Sequence, residues 1–189
     1  MIVGDPTAFA IESVITKAYS KPSLRALGLF VVYVRGHRFG VYDPEASLLA
    51  NSLDAVQRRL ANRGRHIVPF ATDTGAAEIA KAVSIALYFE CKEDRLLGYD
   101  QKELAEMVYS RELLWIPDGD EAFDDGSHVV QFDVKDQVRL VAFKRLDSEA
   151  YDPATLTDLW LSGDSFYGTL REWQEQFVKE WQGIPKQTL

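Results

Sequence analysis

Cysteine is nearly missing from this chain, where Cys91 stands alone. A lone cysteine cannot close an internal disulfide, and a thiolate-rich zinc site is excluded with it. Long apolar runs are missing too, with none near the roughly 20 residues that span a bilayer. The opening stretch, MIVGDPTAFAIESVITKAYS, has neither the basic start nor the unbroken apolar core of a secretory signal. Asp5 precedes its apolar residues and Glu12 interrupts them. These shortages together predict a cytoplasmic protein in a reducing compartment.

The motifs of common enzyme chemistry are also wanting. There is no G-x-x-x-x-G-K-[ST] and no G-x-G-x-x-G to cradle phosphates. His37, His66 and His128 lie far apart, and none belongs to H-E-x-x-H. The run SGDSFYG lacks the glycine two residues after its serine that a nucleophile elbow requires, which leaves Ser165 as a loop residue ahead of the last helix. A calcium loop starting at Asp118 fails because Ala122 stands where an oxygen ligand belongs. Cys91 is expected near a helix C-terminus, where nothing lowers a thiol's pKa. The sequence therefore implies no cofactor, no metal and no catalytic residue.

Bases are outnumbered, 21 against 29 acids, for a net charge of −8. From Asp118 to Asp164 there are twelve acids and four bases (Lys135, Arg139, Lys144 and Arg145), so this window carries the whole excess. A one-signed field suits the steering of a basic protein partner and opposes contact with nucleic acid phosphates. Phe123 sits within that run, among Asp118, Asp120, Glu121, Asp124 and Asp125. An aromatic ringed by charges is how interfaces often concentrate affinity, although a Phe can also fold back onto its own sheet. These six residues form the candidate partner-binding loop. The other charge cluster, Arg58, Arg59, Arg63 and Arg65, falls near the end of a predicted helix, where cations complement the helix dipole.

The 189 residues, with 12% aromatics and 47% hydrophobic residues, suit one globular domain. Phe9, Ile11, Ser13 and Ile15 alternate along a first strand. LGLFVVYV and HRFGVY make a hairpin through Arg35-Gly36, and HVVQFDV and QVRLVAFKRL make a second through Lys135-Asp136. ELLWI, ended by Pro117, and TLTDLWL are further strands. Four helices are expected. One runs from an N-cap at Ser52 to Arg63, and the next is capped by Asp73 or Thr74. A third opens on an Asp100–Glu103 capping box, and the last on a Thr169–Glu172 box. Leu170, Trp173, Phe177 and Trp181 form the buried stripe of the last helix. Clustered strands indicate an α+β fold, a mainly antiparallel sheet of seven or eight strands with four helices packed on it.

Three stretches carry a resemblance: GDPTAFAIES, LGLFVVYVRGHRFGVYDP, and the late SGDSFYG before an aromatic helix. In these the chain resembles a family of bacterial immunity proteins from polymorphic toxin systems, the family numbered forty-two. The resemblance implies a non-enzymatic antidote that binds and neutralises a cognate toxin domain. An effector chaperone of a secretion system is the alternative. No binding residues carry over from the family.

Overall fold

The computed structural model describes residues 1–68, 70–90, 95–115, 121–146 and 149–187. Cys91, Pro117, Asp118 and Asp120 lie outside the described residues.

The N-terminal third builds the larger sheet. Strands β1 (Ile2–Gly4), β2 (Phe9–Tyr19), β3 (Ala26–Val34) and β4 (His37–Phe39) lie side by side and antiparallel. Short β5 (Ser47–Leu48) also pairs with β3, and β9 (Lys186–Gln187) returns from the C-terminus to lie parallel to β2. Gly36, at φ +81°, closes the β3–β4 hairpin as its position in the sequence predicts. Gly28 is there for a different reason. It faces Ile15 across the pair beside a β-bulge, and a Cβ built on it would stand 1.9 Å from the Val14 carbonyl oxygen. Gly28→Ala should therefore cost about 2–3 kcal/mol, because backbone and not a flexible side chain blocks the space. Urea denaturation of that variant would test this, and an unshifted midpoint would contradict it.

The second sheet is β6 (Ser127–Val134), β7 (Gln137–Lys144) and β8 (Thr157–Ser162), all antiparallel. The two-residue turn Lys135-Asp136 joins β6 to β7 as expected, with Lys135 at φ +58°. The described part of ELLWI, residues 112–115, forms one isolated bridge, Leu114 to Val130, with two backbone hydrogen bonds flanking it, in place of the predicted strand. Nine strands in two sheets are present among the described residues, where the sequence indicated seven or eight in one. The extra strands are two or three residues long, too short to carry a periodicity.

Among the described residues, four helices complete the fold: α1 (Leu49–Ala61), α2 (Ala76–Tyr88), α3 (Gln101–Ser110) and α4 (Gly163–Gly183). The Asp100–Glu103 capping box opens α3 as predicted, with both reciprocal hydrogen bonds in place. The other three starts differ. Leu48 precedes α1, and Ser52 is a buried residue inside it. Gly75 precedes α2, so neither Asp73 nor Thr74 caps it. Ser162 caps α4 by accepting from the Ser165 N–H, which places Ser165 in the first turn and Thr169 well inside the helix.

The two sheets and four helices enclose two cores. Leu170, Trp173 and Phe177 of α4 meet Phe9, Phe30 and Val32 of the large sheet, with Leu53 and Val56 of α1 beside them. Val138, Leu140 and Ala142 of β7 join the same core. Val141 and Phe143 of that strand point the other way, onto Ile79, Ala80 and Val83 of α2 and Leu104 and Val108 of α3. While β8 stays partly exposed at its edge, the small sheet is thus buried on both faces along β6 and β7. That is why its sequence shows no clean polar–apolar alternation.

Candidate functional site

The described end of the acidic loop, from Glu121 onward, lies on the rim of the large sheet. Glu121–Phe123 forms a single 3-10 turn, held there by buried Ala122, whose carbonyl accepts the Val41 N–H at 2.8 Å. Gly40 makes the close approach possible, since a Cβ there would lie 3.0 Å from that same carbonyl oxygen. A second tie is buried: the Ser127 hydroxyl accepts the Gly40 N–H at 3.0 Å.

Of the six predicted contact residues, the structure describes four. Glu121 and Asp124 are exposed. Asp125 is partly buried, accepts the Ser127 N–H and pairs with Lys144 at 2.5 Å. Phe123 is half-buried against the large core, its ring 6.4 Å from that of Phe30. The aromatic is folded back on its sheet over part of its surface, and the free charge at this turn is that of Glu121 and Asp124.

The wider acidic window is partly neutralised from within. Asp158 forms a bidentate pair with Arg139 at 2.9 and 2.8 Å, and Asp164 pairs with Arg63 at 2.6 Å. Asp133 is an organiser of the interior. One of its carboxylate oxygens accepts the Tyr167 hydroxyl at 2.7 Å, and the other accepts the backbone N–H of Gly64 at 2.7 Å and of His66 at 3.3 Å. Burial, reinforced by the hydrogen bond to Asp133, raises the Tyr167 pKa far above its ordinary value. Three of the window's acids, Asp125, Asp158 and Asp164, are thus held in ion pairs, an outcome hidden from a count of residues.

A second feature lies where α1, α3 and the Leu113–Trp115 segment meet. Arg58, Arg59, Val108, Tyr109, Glu112, Leu114 and Trp115 line a cavity of about 150 Å³. Beside it, sharing Tyr109 and Glu112, a cleft of about 340 Å³ is lined also by Arg65, His66 and Arg111. The arginine cluster predicted to complement the helix dipole thus divides. Arg58 pairs with Glu112 and Arg63 with Asp164, while Arg59 turns inward and is 2% exposed. Burial lowers its pKa to about 9, which leaves the guanidinium charged at neutral pH.

His66 is fully buried next to this group, and Nδ1 lies 3.0 Å from the Arg111 carbonyl oxygen. Burial lowers its pKa below 6.5, and the Arg59 charge lowers it further. The unfolded chain therefore takes up a proton near pH 6.5 that the folded protein refuses. The resulting stability is complete above pH 6.5 and is lost as pH falls towards the folded value. In His66→Gln, the denaturation midpoint should fall less steeply between about pH 6.5 and 5 than in the parent. Parallel pH profiles would contradict this assignment.

Among the described residues, no helix is long and apolar enough to cross a membrane. No group of three His, Cys, Asp or Glu side chains is gathered to hold a metal among them either.

The same architecture occurs in a solved structure. It is similar to that of CdiI from Burkholderia dolosa AUO158, with a TM-score of 0.59 at 14% identity, covering 93% of this chain and 99% of that one. At that identity the likeness establishes the fold. A comparison with curated protein sequences returned no match. The family is established by sequence: the model of immunity protein 42 matches residues 1–176, and the chain belongs to that family. It is a toxin-neutralising immunity protein of a bacterial toxin system, as the resemblance in its opening strands and late Gly-Asp turn implied.

Proposed function

We propose that the protein works in the cytoplasm, without catalysis, by forming a one-to-one complex with a folded cognate toxin domain. Occupying the toxin's active site or a neighbouring exosite stops its activity. Membership of the immunity family over residues 1–176 is the observation that carries this reading.

The proposed contact is the acidic run Asp118, Asp120, Glu121, Phe123, Asp124 and Asp125. Its support is local. The Ala122 and Ser127 hydrogen bonds fix the 3-10 turn, so the exposed carboxylates of Glu121 and Asp124 are presented from a rigid support. Preorganised charge raises the encounter rate with a basic surface. Phe123 offers only its uncovered edge, while Asp125 is committed to Lys144.

The test combines Glu121→Gln with Asp124→Asn, which spares the Asp125–Lys144 pair. Association with the toxin should slow about fivefold at low salt, and its salt dependence should flatten. Unchanged association rates would remove the turn from the interface. A chaperone would instead bind an unfolded or targeting segment of the toxin, so binding of the folded domain separates the two roles.

A further inference from the structure

Two arginines are buried among the described residues, and they are treated differently. Arg139, 3% exposed, is fully engaged: Asp158 takes two of its N–H groups, and the carbonyls of Thr72 and Thr74 each accept at 2.8 Å. Arg59, 2% exposed, donates from Nη2 to the Leu114 carbonyl at 2.5 Å and lies 4.9 Å over the Trp115 ring. Its Nε–H has no acceptor, and among the described residues it forms no ion pair. A desolvated guanidinium held by one carbonyl and one ring face is under-compensated, because buried charges ordinarily find a counter-charge.

A second donor in the same wall shares the deficit. Trp115 is 1% exposed, and its Nε1–H also has no acceptor. Both side chains line the 150 Å³ cavity, whose volume is several times the ~30 Å³ share of one water molecule. Its ionisable walls with charge at neutral pH are Arg58, Arg59 and Glu112. Two positive charges against one negative leave a balance of one, which matches a monoanion. Arg58 is half exposed and holds Glu112 to the side at 3.3 Å.

We propose that this cavity is a carboxylate-binding site, in which the Arg59 guanidinium, stacked on Trp115, holds the bound oxygens and Arg58 supplies the field at the mouth. The balance of one charge favours a carboxylate over a phosphate dianion, and a planar two-oxygen group suits a guanidinium edge. The site stands independently of the immunity reading. The carboxylate is either a free small molecule or an acidic side chain of the bound toxin.

Acetate at pH 7 is the probe, titrated against sodium chloride at matched ionic strength. The readout is the Trp115 indole N–H resonance in protein carrying ¹⁵N-labelled tryptophan. Its loss in Trp115→Phe picks it out from the signals of the other three tryptophans. The expected result is a saturable shift with acetate and none with chloride. That shift should disappear in Arg59→Met, and binding should weaken about fivefold or more in Arg58→Gln. Arg59→Met removes a poorly compensated buried charge for a side chain of similar length, so it should fold. Should it not, Arg58→Gln at the half-exposed mouth decides the matter alone. Absence of saturation, an equal shift with chloride, or full binding in the arginine variants overturns the proposal.

A second titration separates the sources. If a toxin carboxylate fills the cavity, bound toxin abolishes the acetate shift, and Arg59→Met weakens the complex. If the natural ligand is a free carboxylate, acetate still binds in the complex. Failure of the wild-type protein to bind toxin at all would strike the immunity reading and leave the acetate result standing.

Discussion

Trp173→Ala should destabilise the protein by about 4 kcal/mol. Trp173 is fully buried at the centre of the larger core. Its ring meets Phe30 edge-on at 5.1 Å and stacks on Phe177 at 5.0 Å. Its Nε1–H donates to the Ser13 hydroxyl at 3.0 Å, across the contact between α4 and β2. Removing it opens a cavity, discards two aromatic contacts and leaves buried Ser13 without that donor. Domain stabilities run from roughly 5 to 15 kcal/mol, so at the low end of that range the variant would be close to unfolding. Urea denaturation measures the effect, and a loss under about 1 kcal/mol would show that α4 docks less tightly than its packing indicates.

The second large effect is expected at Asp158. Asp158→Ala removes the counter-charge of Arg139, whose side chain is 3% exposed and anchors the Thr72 and Thr74 carbonyls ahead of α2. An orphaned buried guanidinium costs about 3–5 kcal/mol, far more than a surface ion pair contributes. The double replacement Arg139→Met with Asp158→Leu removes both charges and should recover part of that loss. The recovery is incomplete because the two carbonyls also lose their donor. If the single variant were no less stable than the double one, the pair would be acting as a surface bridge.

The fold could be read in the sequence wherever a local rule met no competitor. Both hairpins carried their own turn chemistry, and the Asp100–Glu103 box opens α3 as its spacing demands. Leu170, Trp173 and Phe177 of the α4 stripe are buried as its period implies, while Trp181 is only partly covered. Helix starts were less legible because capping patterns repeat. Ser162 and Ser165 precede Thr169 and Glu172 with the same spacing, and only the first pair opens the helix. Glu172 instead accepts from the Gln176 side chain. At Ser52 a polar residue before an apolar run imitated a cap, while packing against β3 and α4 decided where α1 begins. The hidden β6–β7 layer of the small sheet was illegible for a different reason: both faces of these two strands are buried, so no period marks an inside.

The site was half legible. The acidic run and its lone Phe stood out in sequence, and the structure puts Glu121 and Asp124 on the surface of a pinned turn. The engagement of Asp125, Asp158 and Asp164 by distant bases depends on contacts 19 to 101 residues apart, which no local pattern encodes. Arg59 was equally concealed. Arg58 and Arg59 look alike along the chain, and helix phase turns only Arg59 inward, onto Trp115. Phasing Arg59 three residues after Val56 would have been the available signal, since both occupy the buried face of α1.

Neutralisation by binding is put to the test by growth of bacteria producing the cognate toxin domain, with and without this protein supplied in the same cells. Protection should require wild-type protein in at least equal amount and should coincide with recovery of an intact one-to-one complex. Cells that die in the presence of folded, abundant protein, or survive without any complex forming, would contradict it.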